Sequence, residues 1–195
     1  MMPDPAPDHI VIGIYTDGDM LPFVLSSTHM ALQILANELF DFELKSAVLA
    51  RGLLQPAALR ELHATGQALL ETARAVGSSP PIAPEAAKQE ARDGDENDDD
   101  DASRPTWELT LADAITVATA IDFVASAYLT SFGEEMRAVQ VDHNGIPAAA
   151  YDAQLLETLS YLSRFQAEWE ELFGEFTGYQ VRMAELAELR AEFVR

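Results

Sequence analysis

Apolar residues recur at spacings of three and four along most of this chain, the pattern of helices with one buried face. The clearest run is Leu155, Leu159, Leu162, Gln166, Trp169, Phe173 and Phe176. Its alternating fours and threes predict an a/d seam over three heptads. Phe165 and Leu172 widen that seam, which suits a globular bundle better than a two-stranded coil. Gly174 or Gly178 is placed to break the helix, and a last helix carries Met183, Leu186, Leu189 and Phe193. Upstream, a helix from Leu111 sets Ile115, Ala118, Ala125, Leu129 and Phe132 on one face. Val117, Ile121, Val124 and Tyr128 fall on the neighbouring face. So wide an apolar arc predicts the central helix of a bundle. Thr110 with Asp113 three residues on fits a capping arrangement at its start. Asp142-His143-Asn144-Gly145 predicts a turn ahead of Pro147.

The first third is less regular. Ser26, Ser27 and Thr28 offer N-cap hydroxyls for a helix whose face would run through Leu32, Leu35, Leu39 and Phe42. The helical pattern continues to about Arg51-Gly52, with Phe40–Leu44 ambiguous between helix and strand. Pro56 suits the first position of the next helix, where its missing N–H costs nothing. That helix places Leu59, Leu62, Gly66, Leu69, Ala73 and Val76 on one stripe, with Gly66 permitting close approach and Gly77 ending it. His9 to Tyr15 is short and β-branched and predicts a strand. Asp17-Gly18 is a favoured hairpin turn, so Met20–Leu25 is expected to return as a second strand, an edge strand because of Pro22. The alternative is an extended arm.

Residues 77–105 change character. They hold Pro80, Pro81 and Pro84, the run Asp98 to Asp101, and Ile82 as the only clear hydrophobe. Such a segment buries too little apolar surface to offset chain entropy and is expected to be disordered. The fold class is therefore mainly α, a bundle of about five to six helices. It has a short N-terminal strand or hairpin at 9–25 and an acidic Pro/Asp-rich linker. Residues 1–76 form one helical block and 106–195 a second, packed together as one bundle.

Charge changes the picture more than length does. The 195 residues carry 33 acids and 12 bases, a net charge of -21. Nine acids meet four bases in 1–76, nine meet three in 77–105, and fifteen meet five in 106–195. The acidity is thus not confined to the linker. It repels phosphate backbones and anionic membranes, so no direct nucleic-acid or membrane binding is expected; its first meaning is solubility, and it also attracts cations and a basic protein partner. Asp113 and Asp122 inside Leu109–Phe132 argue against a spanning helix. The N-terminus lacks a charged n-region and an apolar h-region, so the cytoplasm is the expected location. Arg outnumbers Lys ten to two, as in GC-rich bacterial coding sequences.

Chemistry-bearing patterns are sparse. There is no cysteine, which excludes disulfides and thiolate sites. His9, His29, His63 and His143 have no ligand spacing. Asp93, Asp95 and Asn97 open like a calcium loop, but Asp98 and Arg104 stand where Gly and Glu are needed. Glu168/Glu171 and Glu185/Glu188 give the E-x-x-E spacing of all-α magnesium-dependent nucleotide pyrophosphohydrolases, yet no E-x-x-D follows either. No catalytic residue, metal ligand or cofactor is assigned. Asp122 is the one acid within the most apolar helix. Buried, it would need a partner or a proton and would mark a polar pocket with Tyr128. At the helix edge it would simply face water.

These patterns favour a non-enzymatic protein–protein interaction or regulatory bundle that self-associates, with Leu155, Leu159, Leu162, Trp169, Phe173 and Phe176 as core or interface anchors. The alternatives are an acidic DNA mimic that blocks a nucleic-acid-binding protein, and a small all-α magnesium-dependent hydrolase.

Overall fold

A computed structural model describes residues 9–11, 20–77 and 107–194. Those residues are mainly helical, and the linker predicted at 77–105 lies almost wholly outside them. In chain order the elements are β1 (His9–Val11), α1 (Met20–Ala36), α2 (Glu43–Ala50), α3 (Pro56–Gly77), β2 (Glu108–Thr110), α4 (Leu111–Ala127), α5 (Ser131–Ala138), a π-helical turn (Val139–His143), α6 (Ala148–Phe173) and α7 (Thr177–Phe193). Seven α-helices among the described residues exceed the five to six expected, because short α2 and α5 separate from their neighbours.

α4 is the central helix, as its wide apolar arc predicted. It packs against α1, α3, α6 and α7. Eleven of its seventeen residues are buried, so no single face of it is reserved for water. Its start is a full capping box. The Asp113 amide donates to Thr110 Oγ1 at 3.1 Å, and the Thr110 amide donates to Asp113 Oδ2 at 2.9 Å. One continuous core joins both halves of the chain: Leu21, Val24, Leu54 and Leu59 pack with Trp107, Ile121, Phe123, Trp169 and Phe173. Gly66 shows how closely the first block approaches the second. A Cβ there would lie 2.7 Å from Leu25 Cδ2 and 2.8 Å from the Trp107 ring.

Several expectations are corrected. Met20–Leu25 is not a returning strand but the first turns of α1. Pro22 is accommodated because first-turn amides have no intrahelical acceptor. The Asp17-Gly18 turn lies outside the described residues, as do Ile12–Tyr15 of the predicted strand. β1 pairs instead with β2, antiparallel, with His9 opposite Thr110. Ser26–Thr28 do not cap a helix start. They lie inside α1, and the Thr28 hydroxyl bonds back to the Val24 carbonyl at 2.8 Å. Leu39 is 89% exposed, because α1 ends at Ala36 and the face is interrupted. Lys45 secures that end. Its buried ammonium donates to the carbonyls of Asn37 at 2.6 Å and Phe40 at 3.0 Å, the sign of charge a helix C-terminus attracts.

Candidate functional site

The predicted seam on α6 divides into two stretches. Leu162, Trp169 and Phe173 are buried with Phe165 in the common core. The Trp169 indole N–H donates to the Ala114 carbonyl of α4 at 3.0 Å. Leu155, Leu159, Gln166 and Phe176 are half-buried, and Leu172 is 46% exposed, so it does not widen the seam. The aromatic C-terminal half of α6 is sealed in the core, and its N-terminal half stands off beside the cavities described below.

Asp122 is 3% exposed, so the water-facing reading is wrong. Its Oδ1 accepts from Gln166 Nε2 of α6 and from Arg190 Nη1 of α7, each at 3.1 Å. Ser126 adds a further hydrogen bond. Burial nonetheless holds the carboxyl above its ordinary value, outweighing Arg190, Gln166 and Ser126. The group ties three helices together and lines none of the hollows described below. Tyr128, six residues on, faces elsewhere, so the two residues do not share a pocket.

Tyr128 does line a cavity. Where α6 stands off, a groove runs between α1 and α6 over the end of α4, in two chambers. The outer chamber, ≈ 510 Å³, is walled by Phe23, Met30, Val124, Tyr161 and Leu162, with Ser26, Glu157 and Thr158 at its rim. The inner one, ≈ 320 Å³, is walled by Met30, Tyr128, Met136, Ile146, Tyr151 and Leu155, with Gln140 and Gln154 as polar groups. Met30 and Thr158 line both. Phe23 fixes the outer end, with its ring 4.7 Å from Tyr161 and 4.3 Å from Phe165. These volumes fall in the range of ligand sites, about 300–1,000 Å³.

No match to this chain is found among protein-family models, curated proteins or solved structures.

Geometry alone therefore bears on the chemistry. Among the described residues, no three His, Asp or Glu side chains are grouped to hold a metal ion. Glu168, Glu171, Glu185 and Glu188 are all exposed. Glu168 pairs with Arg164 at 3.1 Å and Glu185 with Arg182 at 3.3 Å. No single described helix is long and apolar enough to cross a membrane.

A smaller hollow, ≈ 310 Å³, lies beside the outer chamber, sharing Pro22 and Ser26 with it, and is lined by His29 of α1 and His63 of α3. The two rings stack with centroids 5.4 Å apart. Because the Thr28 hydroxyl proton goes to a backbone carbonyl, His63 Nδ1 is the donor across the 3.3 Å contact to Thr28 Oγ1. Burial and the neighbouring His29 hold the His63 pKa below its ordinary value.

Sequence reasoning missed the groove. Its walls come from α1, α4 and α6 together, so no single periodicity in the sequence marks it.

Proposed function

We propose that this protein is a non-enzymatic binding bundle that takes the apolar face of a basic, amphipathic protein segment into the groove between α1 and α6. The supporting observation is the outer chamber. It is walled by Phe23, Met30, Tyr161 and Leu162, and Leu155 carries the apolar lining on along α6 into the second chamber. Helix-in-groove recognition uses such a surface for anchors three and four residues apart. The net charge of -21 selects a partner with basic flanks and speeds its approach. The absence of a grouped metal site among the described residues leaves the hydrolase reading without support.

The test is a titration with two designed amphipathic helical peptides that share a leucine face, one flanked by lysines and one by glutamates. The lysine peptide is expected to bind, to weaken with added salt, and to lose at least tenfold in affinity against Phe23→Glu. Equal binding to Phe23→Glu would reduce the effect to surface charge and end the reading. Light scattering supplies a second check: a dimer that dissociates on Phe23→Glu would mean that a second copy fills the groove.

A further inference from the structure

The inner chamber differs in kind from the outer groove. Two phenols meet in it, Tyr128 at the end of α4 and Tyr151 in the first turn of α6. Among the described residues, the Tyr128 hydroxyl has only Met30 Sδ as an acceptor, at 3.7 Å, and a thioether accepts weakly. The Tyr151 hydroxyl has no hydrogen-bond partner among the described residues. Both are held above their ordinary pKa by burial, so both keep their protons near neutrality. The chamber wall includes Gln140 from the π-helical turn Val139–His143. Such turns are uncommon and cluster at functional sites. This one is held shut by the Asn144 amide donating to the Val139 carbonyl at 3.1 Å and the Ile146 amide to the Gln140 carbonyl at 3.0 Å.

The chamber's charges decide what it accepts. None of its lining residues is charged. The nearest cation, Arg137, is committed to Asp152 through paired bonds of 2.8 and 3.1 Å. An anionic ligand would find no counter-ion there and would face the field of an acidic protein. A strongly polar ligand would lose hydration to Met30, Met136, Ile146 and Leu155 without replacement. What remains is a small, uncharged, largely apolar molecule with one good hydrogen-bond acceptor.

The geometry points to the Tyr128–Tyr151 chamber as a binding site for a small neutral molecule with a carbonyl-type acceptor, its apolar body against the methionines and its acceptor oxygen between the two phenols. This goes beyond the peptide-binding reading and does not depend on it.

The test uses prodan, an uncharged naphthyl ketone whose emission reports both polarity and hydrogen bonding. Prodan is expected to bind the full chain at one site with blue-shifted emission. Tyr128→Phe and Tyr151→Phe should each weaken it by roughly three- to tenfold, the worth of one hydrogen bond. Both variants keep the ring, and unchanged melting temperatures would show that the fold is intact. Leu155→Trp, which fills the chamber, should abolish binding. Acetophenone should displace the dye and benzoate of the same concentration should not. Unaltered affinity in both phenylalanine variants, or equal displacement by benzoate, would overturn the assignment. Phe23→Glu separates the two sites: it should remove peptide binding and leave prodan bound.

Discussion

The two halves of α6 share one helix and one seam pattern but meet different neighbours. From Leu162 to Phe173 the seam residues are mostly aromatic, buried, and closed by α4 and α7. From Tyr151 to Leu159 the seam residues are Leu155 and Leu159, aliphatic and half-buried, and Leu155 lines the groove with Tyr151. Aromatic side chains reach further than leucine. Phe165, Trp169 and Phe173 also stack in series, with centroids 5.3 and 4.8 Å apart, a geometry that adds to area burial. The sealed half has in addition a polar tie, Asp122 with Gln166 and Arg190. Among the described residues, the open half has none toward α1. Rigidity is thus concentrated at one end of α6, and accessible apolar surface at the other.

That contrast can be broken most directly at Trp169. Trp169→Ala should cost about 3–5 kcal/mol, the range for truncating a buried aromatic residue, and denaturant unfolding should show it as a large drop in midpoint. Arg190→Met comes next. It strips the ion partner from buried Asp122, and because Arg190 is itself half-exposed the loss should be roughly 1–3 kcal/mol, below that of a fully buried pair. Its pH dependence carries a sign. Asp122 binds its proton more tightly in the folded state than in the unfolded chain. Its stabilising contribution is therefore present below its ordinary value of 3.8 and lost as pH rises through the raised folded value. The Arg190→Met deficit should accordingly be larger at pH 7 than at pH 4.

The α1–α3 seam beside the groove should respond in the opposite sense. The lowered His63 pKa means that its contribution is present above 6.5 and lost as pH falls through the folded value. Melting temperatures measured from pH 7.5 to 5 should fall, and His63→Gln should flatten that decline. Smallest of all is Glu157→Lys on the open half, at an exposed residue that lines the groove. Stability should change by no more than about 0.5 kcal/mol, while affinity for the lysine peptide drops. A stability loss near that of Trp169→Ala would show that the two halves are not distinct.

Much of the fold was legible because it depends on local chemistry. The Thr110/Asp113 box, the start of α3 at Pro56, the breadth of the apolar arc on α4 and the close approach at Gly66 each follow from a residue type at a spacing. Other features depend on what lies across the core. Pro22 looks like a strand-edge residue and is a first-turn helix residue. β1 looks like half of a hairpin, yet its partner is β2, nearly a hundred positions away. Periodicity cannot register a partner so distant.

The candidate site divides in the same way. The sequence by itself determined that α6 would bury Leu162, Trp169 and Phe173, that α4 would be central, and that Asp122, if buried, would need a partner. Only the tertiary structure decided which partners it has, that Tyr128 lines a groove Asp122 does not reach, and that α1 and α6 leave that groove between them. The reason is physical. A helix's own pattern states which residues avoid water, but how far apart two helices stand is set by the side chains both contribute, and those come from distant parts of the chain.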